Sequence, residues 1–317
     1  MRVTSLMSAG AFALMGCCMT AAANAAPLFS ENFDVDPTAN WTVNDSGLSD
    51  IAVDFHYDYS AIGVPAAPGG STTRGLKMTA NNSGGVFSGF SVSPNGQSFS
   101  GDYKVTFDLW QNYVGPVGPG GSGTTQLSTF GIGTNGTTPF WAGAPVDESV
   151  SFAATLDGGS ASDYRAYSSA APNSYSSGHA VYAPAASNNA SDPHYAMFGG
   201  QAAPAAQVAL YPGQTGTTEA GEIAFGWRKV VIDVSGGFAT WSVDGLQIAQ
   251  VDLSTVTLGG GNILFGHSDT NSGVSSDPND SLLNITLIDN VAVIPEPASL
   301  GMLGLAAAGL LACRRRR

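Results

Sequence analysis

The densest set of potential ligand atoms in the sequence is the stretch HSDTNSGVSSDPND, from His267 to Asp280. Asp269, Asn271, Asp277, Asn279 and Asp280 supply hard oxygen donors there, and Gly273 permits a sharp turn. Such donors suit calcium, which takes roughly six to eight oxygen ligands. The stretch matches only a fragment of a D-x-N-x-D-G loop, however, and no glutamate follows to close it. Asx and Ser side chains also populate ordinary turns by bonding their own backbone. A calcium loop and a plain polar turn both satisfy the pattern.

Other reactive types are scattered. Hydrolysis of a glycan needs two carboxylates about 5 to 10 Å apart. Glu31, Glu148, Glu219 and Glu222 are the glutamates between the terminal segments, and the nearest two are three positions apart, which splits them across a strand. His56, His179, His194 and His267 lack the close spacing of transition-metal ligands and read as solvent-facing or loop residues. No Gly-x-Ser-x-Gly elbow occurs, and the glycine-rich stretches precede no helix that could cradle phosphate. The expectation is a protein that is not an enzyme. Of the five tryptophans, Trp141 lies in a turn-rich stretch and is the candidate for stacking on a sugar. Trp227 and Trp241 fall in alternating segments and read as core.

The elements that must position these groups are strands. Short β-patterned segments separated by turn residues run from Leu28 to Ile294, with no amphipathic helix among them. Strands are predicted at Ile51 to His56, Gly75 to Ala80, Asp102 to Trp110, Leu127 to Ile132, Ser149 to Leu156, Ile223 to Phe225 and Asn262 to Gly266. From Trp227 to Val251 the alternation is clearest, with Gly236-Gly237 and Asp244-Gly245 as hairpin turns of a three-stranded meander. A polar loop follows from His267 to Ser281. The last strand runs from Leu282 to Val293, with Leu283, Ile285, Leu287, Val291 and Val293 expected on one face. Residues 161–221, rich in Ala, Pro, Ser and Asn, read as a loop-rich insertion on one face, and Gly115 to Thr125 as a second loop.

Composition agrees. Charged residues make up 11% of the chain, and Gly contributes 41 of 317 residues, which disfavours long helices. Five of the eleven basic residues (Arg2 and Arg314 to Arg317) lie in the terminal segments, which leaves six against 23 acidic (24 less Glu296), a net of −17. That surface repels nucleic acid and excludes it as a partner. Cys17, Cys18 and Cys313 all fall in terminal apolar segments, so the body depends on its core rather than on disulfides.

The N-terminus joins Arg2 to a short apolar run and the small-residue site Ala23-Asn24-Ala25, the pattern of a secretory signal peptide over residues 1–26. Leu14-Met15-Gly16-Cys17 offers a lipoprotein site as the alternative. The C-terminus carries Pro295-Glu296-Pro297, an apolar stretch over about 298–313, and Arg314, Arg315, Arg316 and Arg317. Sixteen residues span about 24 Å as a helix, short of the roughly 30 Å hydrocarbon core. The arginines orient that transmembrane helix with the body outside.

This tail resembles the PEP-CTERM sorting signal. The resemblance implies recognition of Pro295, Glu296 and Pro297 by an exosortase, a membrane-embedded cysteine transpeptidase of Gram-negative bacteria that make extracellular polysaccharide. It further implies inner-membrane residence before processing and a cell-surface or extracellular place afterwards. A simple tail anchor would leave the triplet unexplained.

The body, through WRKVVIDV, VDG, NILFG and the terminal LIDNVAV, resembles the concanavalin A-like, laminin-G-like jelly rolls. That resemblance implies an all-β antiparallel β-sandwich over 27–294 whose final strand returns beside the first, Leu28 to Phe33. It also implies a lectin-like module for polysaccharide, in many relatives with calcium. The E-x-D-x-E strand motif of the hydrolases in that group is absent. A structural or adhesive surface protein, or a glycan hydrolase, are the competing expectations.

Overall fold

The computed structural model describes residues 26–47, 50–85, 87–142, 148–170, 174–183, 187–273 and 276–296. Nine strands come first: β1 (Phe29–Glu31), β2 (Trp41–Asp45), β3 (Ile51–Asp58), β4 (Arg74–Ala80), β5 (Gly89–Pro94), β6 (Tyr103–Asn112), β7 (Gln126–Thr134), β8 (Val150–Thr155) and β9 (Tyr164–Ser168). After a short helix α1 (Ala205–Leu210) come β10 (Arg228–Ser235), β11 (Phe238–Val243), β12 (Leu246–Asp252) and β13 (Asn262–Asp269). A helical turn α2 (Asp280–Leu283) then leads into β14 (Ile285–Pro295).

Two antiparallel sheets result. One has the order β12-β11-β10-β6-β14-β4-β3 with β1 added beside β14, and the other the order β2-β5-β13-β7-β8-β9. The alternation that predicted the meander is what the sheet uses: Val230, Ile232, Val234, Ala239, Trp241 and Val243 all point into the core between the sheets. Asp244 and Gly245 take positive φ values of 49° and 84°, the backbone that a type I′ turn requires. Trp241 is fully buried and packs against Phe130 and Phe152, with ring centroids 5.3 Å away in each case. Aromatic rings dominate this core, and the burial of each stabilises the fold by about 1.5–3 kcal/mol.

The last strand sits in the interior of its sheet. Along one edge β14 pairs with β6. Its other edge is shared by β4 opposite residues 286–288 and by β1 opposite residues 291–293. The return beside the first strand is therefore as expected, but the single apolar face is not. A β-bulge interrupts the register between Asp289 and Ala292, with Asn290 at φ 50°. An extra residue reverses the alternation. Ile285 and Leu287 pack on the outer side with Tyr59, Trp110 and Tyr113, whereas Ile288, Val291 and Val293 enter the main core.

Other boundaries also move. Ile223 to Phe225 is not a strand but a buried turn, with Phe225 at φ 58°. The polar loop begins after Asp269, because His267 to Asp269 continue β13, and Leu282 and Leu283 belong to α2. Residues 161–221 contribute β9 and α1, and they bury Tyr164, Tyr182, Tyr195 and Phe198. This segment also covers the edge of β12, where the Gln250 amide donates to the Val181 carbonyl (2.7 Å) and the Ala183 amide to the Ile248 carbonyl (3.0 Å). Trp227 is half-buried, edge-on to Tyr59 at 5.2 Å, with its indole N–H on the Pro65 carbonyl at 2.8 Å. Among the described residues no helix is long and apolar enough to cross a membrane. The predicted signal helix and the span at 298–313 lie outside the described residues, as do Cys17, Cys18 and Cys313.

Candidate functional site

The ends of β4, β7, β8 and β13 meet at one end of the sandwich, where their loops enclose an open cleft of about 690 Å³. Its walls are polar: Asn81, Thr125, Asp157, Arg165, Asp269 and Asn284 come from segments far apart in sequence. Asp269, the last residue of β13, organises it. This carboxylate is 3% exposed and accepts from Asn81 Nδ2 (2.6 Å), from the Asn271 amide (2.9 Å) and from Thr125 Oγ1. One side chain thus ties together the loops after β4, before β7 and after β13.

Of the predicted calcium donors, Asp269, Asn271, Asp277 and Asp280 all line this cleft. Asn279 sits beside them, its amide donating to Asp277 Oδ1 at 2.8 Å. Asp280 is buried and accepts from Asn284 Nδ2, and Asn284 Oδ1 in turn accepts the Val114 amide at 2.9 Å. The Asp269 oxygens face protein donors, and no group of three or more His, Cys, Asp or Glu side chains gathers as a metal cluster among the described residues. The five donors stand together in one hydrogen-bonded loop structure beside the cleft.

Half-buried Asp157 in the cleft wall and the buried Asp163 and Glu222 are three acids that spacing did not reveal. Asp157 accepts the amides of Thr124 (2.5 Å) and Gly159 (3.1 Å), and burial raises it above the ordinary carboxylate range. Burial pushes Asp163 up to about 6 and Glu222 up to about 7. Tyr113 donates its hydroxyl to Glu222 at 3.1 Å.

Beneath the floor lies His267, fully buried in β13 rather than in a solvent-facing loop. The run of small and polar residues around it resembles a loop because both faces of β13 are covered and no alternation survives. Burial drives its pKa down to about 3, so the ring is neutral and carries one proton. Nε2 lies 2.7 Å from Gln126 Oε1, which can only accept, so Nε2 bears the proton and Nδ1 accepts from Thr286 Oγ1 at 2.8 Å. Thr286 then accepts from Ser128 Oγ (2.6 Å), and Ser128 from Gln111 Nε2 (2.9 Å). The chain of donors runs one way and joins the two sheets.

Trp141 is half-buried and does not line the cleft. It meets Phe87 edge-on at 5.7 Å, and Phe87 is 49% exposed. The neighbouring Phe140 packs with Leu127, Ala153 and Leu264 on the outer face of the smaller sheet.

At the opposite end of the chain, Pro295 closes β14 opposite Tyr103. The Glu296 amide donates to the Asp102 carbonyl at 3.1 Å, and its carboxylate meets Lys104 Nζ at 2.5 Å. Lys104 also reaches Asp233 at 3.3 Å. Pro297 and Arg314 to Arg317 lie outside the described residues.

No curated protein matches the sequence. Among solved structures the chain is similar to a sialidase at 12% identity, covering 86% of this chain but 19% of that one, with a TM-score of 0.42. A protein of unknown function with a galectin-like fold from Bacillus subtilis shares 10% identity over 86% of this chain and 97% of that one, with a TM-score of 0.41. A Bacillus licheniformis beta-glucanase shares 12% identity over 85% and 98%, with a TM-score of 0.39. A family model matches at the end of the chain: residues 293–317 carry the PEP-CTERM protein-sorting motif, which marks the chain for export and sorting.

Proposed function

We propose that this chain is a cell-surface or extracellular-matrix protein, processed at its tail by an exosortase, whose sandwich binds polysaccharide in the end cleft without cleaving it. One observation supports the ligand-binding part: an open cleft of about 690 Å³ lined by amide, carboxylate, hydroxyl and guanidinium groups held in place by hydrogen bonds. Fixed polar groups of that kind match the hydroxyls of a sugar chain with little ordering cost. Arg165, held by the Ser162 carbonyl at 2.7 Å and Ser160 Oγ at 3.2 Å, presents the cleft's guanidinium. The sorting motif supports the address.

A panel of soluble polysaccharides, assayed by calorimetry with and without chelator, tests the ligand. Binding that falls about tenfold to a hundredfold in Arg165→Met, as expected for one lost hydrogen bond to a charged group, supports the cleft. No binding across the panel sinks it. Loss on chelation would bring in a cation, and release of reducing ends would overturn the non-enzymatic reading. The exposed Phe87 against Trp141 favours a second reading, an adhesive surface protein with no small ligand.

A further inference from the structure

We infer that the folded sandwich clasps its own sorting triplet, so that the Lys104–Glu296 contact must open before an exosortase can take up residues 295–297. This rests on the exosortase processing proposed above.

The first two residues of the triplet do not hang from the domain on a free linker. Pro295 is still in register with Tyr103, and the Glu296 amide is engaged by the Asp102 carbonyl at 3.1 Å. The Glu296 carboxylate, the one charge of the triplet, is neutralised by Lys104 at 2.5 Å. Asp233 holds the same ammonium from β10 at 3.3 Å, which fixes the lysine over the sheet end. The hydrogen bond that Lys104 donates to Glu296 and its pairing with Asp233 hold Lys104 above its ordinary pKa, so the ammonium stays charged. An enzyme that reads Pro-Glu-Pro as an extended peptide needs the Glu296 main chain and carboxylate, the two groups the domain occupies. One backbone bond and a partly exposed ion pair make a weak restraint, a brake rather than a block.

The test follows tail removal in the full-length chain by pulse-chase mobility shift, in a host with its exosortase and in one lacking it. Lys104→Gln is expected to accelerate removal about twofold to fivefold, the weight of one surface ion pair. Lys104→Arg should keep the wild-type rate. Unchanged melting temperatures exclude general unfolding as the cause. Hydrogen exchange at the Glu296 amide reads the clasp itself, with protection in the wild type and faster exchange in Lys104→Gln expected. Equal removal rates in Lys104→Gln and wild type, or a wild-type Glu296 amide exchanging as in a free peptide, overturn the inference. Tail removal that is the same in both hosts removes the exosortase reading instead, and the exchange measurement still decides whether the clasp exists.

Discussion

Asp289 and Asp108 face each other across β14 and β6, in register and 2% and 3% exposed. Lys229 pairs with Asp108 at 3.3 Å, Asn290 Nδ2 donates to Asp108 Oδ2 at 2.8 Å, and Tyr59 donates its hydroxyl to Asp289 Oδ2 at 3.0 Å. Burial first, and the Asp108 charge further down, push Asp289 up to about 7 from an ordinary 3.8. Between those values the folded protein keeps a proton that the unfolded chain has released. Its stabilising contribution is therefore full below about pH 4 and declines as pH rises through 7. Each pH unit in that interval is worth about 1.4 kcal/mol, so the share falling between pH 5 and 8 is about 2–3 kcal/mol. Halving it for relaxation of the neighbouring groups leaves about 1 kcal/mol. Asp289→Asn keeps the shape and stays neutral, and its amide can donate to Asp108. Urea unfolding should give the variant wild-type stability at pH 5 and about 1 kcal/mol more than wild type at pH 8, with an unchanged slope in denaturant. A variant destabilised equally at both pH values, or one that loses stability with pH as steeply as the wild type, would refute the reasoning.

Three further outcomes are expected. Trp241→Ala removes a fully buried ring from three aromatic neighbours and should cost about 3–5 kcal/mol, read as a lower urea midpoint. Asp269→Ala unties three loops and leaves the Asn81 amide without its carboxylate, costing about 1–3 kcal/mol and weakening any cleft ligand more than Arg165→Met does. At Gly221, φ is 89° and an added Cβ would sit 1.8 Å from the Ala190 carbonyl oxygen; Gly221→Ala should lower the melting temperature and expose Tyr164 fluorescence, because the Tyr164 hydroxyl bonds the Gly221 carbonyl.

The meander was legible because half of each strand faces solvent, which imprints alternation, and because Asp244-Gly245 admits one tight turn. β5 and the end of β13 are covered on both faces, so Gly, Ser and His serve as strand residues there; β5 was not predicted, and His267 to Asp269 read as loop. The bulge at Asn290 escaped for a related reason: Ile285, Leu287, Ile288, Val291 and Val293 are apolar on either phase, and both sides of that strand are packed. In the site, the oxygen-rich run at 269–280 was visible, but Asn81, Asp157 and Arg165 join it through the fold from segments with no shared spacing. The sorting triplet was plain in the sequence, whereas its salt bridge to Lys104 depends on β14 pairing with β6.

The interior position of β14 also governs when the protein can become a protein. Its eleven residues are the last strand of the fold to be delivered, and without them β6 has a bare edge while β1 and β4 have lost a neighbour. The sheet cannot close until the whole body has been delivered, because its final pairings are among the most distant along the chain. Chains broken off early arrive with unpaired edges open to proteases. Chains that survive are those that were finished, and the residue that completes the strand is the first of the sorting triplet. Folding thus depends on a chain delivered as far as Pro295, where the strand and the sorting motif overlap.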